Sequence, residues 1–156
     1  MRTSADNLIE HLRGSGLAVD AVVGNGPGPS VEDAWRAMAG FEVEPSASFP
    51  LDADRAGVHG LWLDHARRAG VVGDDGTFLI TAVVTGSREV GWVRVRLTGA
   101  ADVSRLVDDQ GRIEFIARSA SGDRVCGITA EEYGHWVVSL ALQDGSGPDA
   151  GQPGVV

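Results

Sequence analysis

Trp92, Arg94 and Arg96 alternate along one stretch of the chain, and Arg112, Arg118 and His135 recur in two later stretches. In an extended segment, side chains two apart share a face, so these six are expected together on one side of a sheet. Guanidinium groups suit carboxylate and phosphate recognition, and Trp and Arg are enriched at the energetic centres of interfaces. The set therefore reads as a partner-binding surface for another protein. Two structural readings compete with it: Arg paired with Glu114 across strands, or the whole face packed on the acidic N-terminal half.

Other constellations carry less. GNGPGPS (24–30) sits between an apolar run and a helix, where a phosphate-binding loop would be. Such loops work through successive backbone N–H donors, and Pro27 and Pro29 remove two of them. The dinucleotide fingerprint also wants Gly where Ser30 stands. His59 and His65 are about 240° apart on a helix of 3.6 residues per turn, which argues against a shared metal. Cys126 and His135 suggest a thiol nucleophile with its base, but the alternation expected of the last strand puts His135 outward and Cys126 in the core, on opposite faces. Asp74-Asp75 and Asp108-Asp109 read as turn residues, and Glu131-Glu132 as the start of a helical turn. No GxSxG, HExxH or calcium-loop motif occurs. No cofactor, metal or catalytic set is expected, and the more natural reading is a protein that is not an enzyme.

The elements that must position these residues divide the chain in two. Helices are expected over 4–13, 30–41 and about 52–70, with a break near Gly57 and Gly60. A short strand is expected at 17–23, and 42–50 reads as a linker. Ser30 and Asp33 form a capping box for the second helix. The periodicity then changes from helical to two: strands are expected at 77–85, 89–98, 112–119, 124–128 and 135–142. Helices followed by strands argue for an α+β fold, with N-terminal helices on one face of a C-terminal antiparallel sheet of four to five strands, cone-like or open. The order is that of the cystatin and nuclear-transport-factor type of cone, an expectation of architecture and not of kinship. A cone would enclose a pocket between sheet and helices, lined by Trp62, His65, Phe78, Phe115 and Trp136. Residues 1–142 are expected to form one domain and 143–156 a flexible tail.

Composition limits the partners. The 156 residues carry 22 acids against 13 basic residues, a net charge of −9, and every basic residue is Arg. Without Lys there is neither a Schiff-base nucleophile nor a phosphate-loop lysine. The balance disfavours nucleic acid and anionic membranes and allows a cationic partner. Single-stranded nucleic acid would need aromatics stacked in series, and only Trp92 qualifies. Acids concentrate in 20–54, where Arg36 is the lone cation. With one cysteine, Cys126, no internal disulfide or cysteine-based zinc site forms. The charged N-terminus is unlike a signal peptide, and no apolar run reaches the ~18 residues of a membrane span. Two functions are expected: a non-enzymatic binding protein of the bacterial cytoplasm, of the immunity, antitoxin or accessory kind, or alternatively a small-molecule binder or enzyme built around the enclosed pocket.

Overall fold

The computed structural model describes residues 3–40 and 43–142. Helix α1 (Ser4–Gly14) is started by a capping box: Thr3 Oγ1 accepts the Asp6 N–H at 3.0 Å, and the Asp6 carboxylate accepts the Thr3 N–H at 3.1 Å. Strand β1 (Ala18–Gly24) follows, then α2 (Val31–Met38) with the Ser30/Asp33 box formed as the sequence predicts. Strand β2 (Ala47–Phe49) and a 3₁₀ turn (Arg55–Gly57) lead into α3 (Val58–Arg68). The second half supplies β3 (Thr77–Ala82), the short α4 (Ser87–Val90), β4 (Trp92–Arg96), β5 (Phe115–Arg118), β6 (Arg124–Ala130) and β7 (His135–Ala141).

The class is α+β with an antiparallel sheet, but the sheet has seven strands, in the order β1-β4-β3-β5-β6-β7-β2. The expectation of four to five strands is corrected by the N-terminal half, which lends an edge strand to each side. β1 pairs with β4, and β2 pairs with β7 through Ala47↔Val137, Ser48↔Trp136 and Phe49↔His135. The expectation that 42–50 is a linker fails for β2, because a three-residue edge strand is too short for its alternation to register. The edges do not meet, so the sheet is open.

Helices cover both faces, which corrects the one-sided arrangement. On one face α1 and α3 pack Leu8, Leu12, Trp62 and Ala66 against Phe78, Ile80, Val93, Val95, Phe115, Cys126 and Val137. On the other, α2 packs Val31, Ala34 and Met38 against Leu79, Trp92, Ile116, Val125 and Val138. Trp62 is fully buried, and its Nε1–H donates across the layer to the Cys126 carbonyl at 3.1 Å. Gly60 is tolerated because it lies on the exposed side of α3. The helical turn expected at Glu131-Glu132 is absent: β6 runs to Ala130, and the Glu131 N–H donates to the Gly134 carbonyl to close a tight hairpin. No described helix is long and apolar enough to cross a membrane. The tail expected at 143–156 lies outside the described residues.

Candidate binding surface

Strand alternation puts Trp92, Arg94 and Arg96 on the α2 face, as expected, but that face is not a continuous exposed surface. Trp92 is fully buried beneath α2 and the loop before it, with Nε1–H donating to the Pro29 carbonyl at 2.9 Å. Arg118 is 4% exposed. Its Nη atoms donate to the carbonyls of Pro29 (3.2 Å) and Pro27 (3.3 Å), and its guanidinium lies 5.4 Å from the Trp92 ring centre. Gly28 and Gly122, both at positive φ, close on the guanidinium so tightly that a Cβ on either would collide with it. Burial lowers the Arg118 pKa. The Asn25 side chain completes the loop, accepting the Val31 N–H at 2.9 Å and donating to the Arg88 carbonyl at 2.8 Å. Trp92 and Arg118 thus clamp the GNGPGPS loop onto the sheet.

The other four separate. Arg94 and Arg96 are exposed near the strand end paired with Thr77, and Arg96 is held by Asp20 at 3.2 Å. Arg112 and His135 lie at the opposite end, with Arg112 bound to Asp108 at 3.1 Å. His135 is 1% exposed and belongs to the α3 face with Val137. Its Nε2 accepts the Ile113 N–H at 3.0 Å, and its ring stacks on Phe49 at 4.8 Å and 17°. The structure does not gather the six into one surface.

The face assignment for β7 is also corrected. Val138 packs with the α2 cluster and Trp136 and Leu140 pack against it, so His135 and Cys126 share the α3 face after all. What keeps that pair apart is register. Cys126 lies opposite Ser139, whose hydroxyl donates to Sγ at 3.3 Å, whereas His135 lies opposite Ala130. Four residues of strand separate them, about 13 Å at 3.3 Å per residue. Burial pushes the Cys126 thiol up to about 11.

The alternative pocket is filled. Trp62, Phe78 and Phe115 are fully buried against one another, with ring centres 5.7 Å (Trp62–Phe78) and 5.4 Å (Trp62–Phe115) apart. His65 lies outside this cluster, in a shallow cleft with Arg68, Arg124 and Ser139, and Trp136 is on the other side of the sheet. His59 Nδ1 accepts the Val103 N–H at 3.1 Å, an anchor for the second 3₁₀ turn (Val103–Arg105). Among the described residues, no group of three or more His, Cys, Asp or Glu could hold a metal.

Concavity instead appears at one end of the sheet, where β3 and β6 end and β5 and β7 begin. A cleft of about 480 Å³ wraps the tip of the β6–β7 hairpin, lined by Phe49, Pro50, Glu131, Glu132, Tyr133 and Trp136 with Ser48, Gly134 and His135. A second, of about 340 Å³, lies between α2 and the β3–α4 loop, lined by Trp35, Val83, Val84, Arg88, Glu89 and Glu114 with Gly86 and Ser87. Glu114 in the second cleft accepts the Ala130 N–H at 3.2 Å, next to Glu131 of the first, and its pKa is raised by burial, then by Asp108 and Glu131, with the Ala130 N–H and Arg112 opposing. Tyr133, Val83 and Leu51 are exposed apolar side chains on or beside this rim, at 87%, 41% and 37%. The sequence held a signal for it: a Tyr between two Glu and a Gly, a tip that neither strand face can bury.

No family model, curated protein or solved structure matches the chain.

Proposed function

We propose that this chain is a non-enzymatic binding protein that engages a cationic protein partner through the acidic, apolar rim at the β6–β7 end of its sheet. An accessory or neutralising role, of the kind immunity and antitoxin proteins perform, fits such a surface. The observation that carries the reading is Tyr133: it is 87% exposed at the mouth of the 480 Å³ cleft, directly after Glu131 and Glu132, and among the described residues no Arg lines that cleft. Large exposed aromatics beside polar groups mark interaction sites, and the net charge of −9 favours encounter with a basic partner. The groups that could have served as nucleophile or base have structural work instead. The Cys126 thiol is buried, and His59 and His135 each accept a backbone N–H.

The test is retention of a co-purifying basic protein, identified by mass spectrometry and then made recombinantly. Wild type and Arg94→Ala are expected to retain it equally, while the double variant E132R/Y133A loses it. A partner lost on Arg94→Ala and kept on the double variant would return the interface to the Arg-bearing sheet face and sink the rim.

A further inference from the structure

The cleft at the hairpin tip has a one-sided chemistry. Three aromatic rings, Phe49, Tyr133 and Trp136, and two carboxylates, Glu131 and Glu132, line it, and no guanidinium does. Glu131 is fixed in place: Thr129 Oγ1 donates to its Oε2 at 2.7 Å, and its backbone N–H is tied to Gly134 at 2.7 Å. The nearby cations are engaged elsewhere. Arg55 donates to the carbonyls of Ser104 and Gly111, and Arg112 to Asp108. His135 forms part of the wall, 1% exposed. Its buried Nδ1 has no hydrogen-bond partner among the described residues. Because Nε2 accepts the Ile113 N–H, the neutral ring carries its proton on Nδ1, and no positive charge stands in the wall against an incoming cation.

We infer that this cleft receives a single arginine side chain of the partner, its guanidinium paired with Glu131 and stacked on Tyr133 or Trp136. This rests on the reading of the protein as a binder of a cationic partner and names the group that is bound. Aromatic faces attract cations. A flat guanidinium stacks on a ring while its donor fork meets a carboxylate, and it is shed from water more readily than an ammonium, which favours Arg over Lys. The cleft volume lies within the ~300–1,000 Å³ typical of ligand sites, room for one long side chain and its flanking backbone.

The probe is a blocked Gly-Arg-Gly tripeptide, titrated into the full ¹⁵N-labelled chain beside its citrulline and lysine counterparts. A Kd on the order of 1–10 mM is expected for one side chain. Shifts should be confined to Phe49, residues 131–136 and the Trp136 indole. The lysine peptide should bind about fivefold more weakly, and the uncharged citrulline peptide should not saturate. Glu131→Gln should weaken the arginine peptide about fivefold to tenfold, and Tyr133→Ala about threefold. The control Glu32→Gln, on the exposed side of α2, should leave it unchanged. Equal binding of arginine and citrulline peptides, equal weakening by Glu32→Gln and Glu131→Gln, or no shift up to roughly 50 mM peptide overturns the inference. If the basic partner protein is still lost on E132R/Y133A while the tripeptide fails, the arginine assignment is wrong and the rim reading stands. If the partner ignores the rim variant, both fall.

Discussion

Arg118 offers a sharp test of how the second face of the sheet is held. Its guanidinium makes two hydrogen bonds to loop carbonyls and lies over Trp92, 4% exposed and, among the described residues, without a carboxylate partner. Bonds from a charged donor contribute ~1.5–3 kcal/mol each and a desolvated cation–π contact ~2 kcal/mol. Against this stands the desolvation of an unpaired charge, several kcal/mol. The terms are of similar size and opposite sign. Arg118→Met, which keeps most of the volume and removes the charge, is therefore expected to change stability by no more than about 1 kcal/mol. The Pro29 carbonyl keeps its bond from Trp92 in that variant. Arg118→Ala removes the same bonds and also leaves a void between Trp92, Gly28 and Gly122. A large-to-small change of that kind costs about 3 kcal/mol, or roughly 6–12 °C in Tm for a chain of this length. Urea unfolding at pH 7, with the m-value checked for constancy, separates the two. If Met destabilises as much as Ala, the hydrogen bonds and not the packed volume hold the loop, and the balance of terms drawn above is wrong.

Further outcomes follow from groups buried on the α3 face and from the rim. Cys126, pushed up to about 11, is about one part in a thousand thiolate at pH 8, so iodoacetamide should label it only after unfolding in urea; ready labelling of the folded chain would contradict its burial. Burial holds His135 below its ordinary value of 6.5, with Arg55 and Arg112 adding to the effect and the Pro50 carbonyl and Asp108 opposing it. The unfolded chain then takes up a proton first as the pH falls, so the stabilisation is full above about 6.5 and declines as pH drops through 6.5 towards the folded pKa, at up to ~1.4 kcal/mol per pH unit. His11 and His59 are shifted the same way by burial, so His135→Gln should reduce the slope measured between pH 6.5 and 5 without abolishing it; an unchanged slope would show that His135 is not held neutral. Trp62→Ala should cost ~3–5 kcal/mol by calorimetry, since the ring is fully buried against Phe78 and Phe115. Tyr133→Ala, at an 87% exposed site, should stay within ~0.5 kcal/mol of wild type, and a larger loss would mean that the ring packs rather than waits for a partner.

Local signals in the sequence carried the parts of the fold that are decided locally. The Ser30/Asp33 capping box is a pattern within four consecutive residues, and it forms at 3.0 and 3.3 Å. The change of period after residue 76 marks where the central strands begin. Failures came where a distant element decides. Alternation in HWVVSLAL predicts a single inward face, yet Val137 packs with α1 and α3 and Val138 with α2. A strand covered on both sides is apolar at nearly every position, so alternation no longer selects a face. The same double coverage explains Trp92: the alternation had its side right, and nothing within the strand could reveal that α2, some sixty residues earlier in the chain, lies over it.

The same distinction explains why the Arg-bearing face looked like a site and the hairpin tip did not. A row of alternating Arg and Trp is visible in sequence whether its members bind a partner, a loop carbonyl or a nearby Asp. Only the fold shows that Arg118 is used by Pro27 and Pro29, Arg96 by Asp20 and Arg112 by Asp108. Once those guanidinium groups are subtracted, Arg94 is the one of the four that is exposed and makes no ion pair among the described residues. The rim is the converse case. Phe49, Tyr133 and Trp136 come from an edge strand, a turn and the adjoining strand, and only the pairing of β2 with β7 brings them around one cleft. With Trp92, Arg96, Arg112, Arg118 and His135 all engaged within the chain, the informative residues are those left unengaged. Here they are the Tyr133 ring and the Glu132 carboxylate at the end of a hairpin, beside a Glu131 that Thr129 holds in place, which is why the rim, and not the more conspicuous arginine row, is the surface to test first.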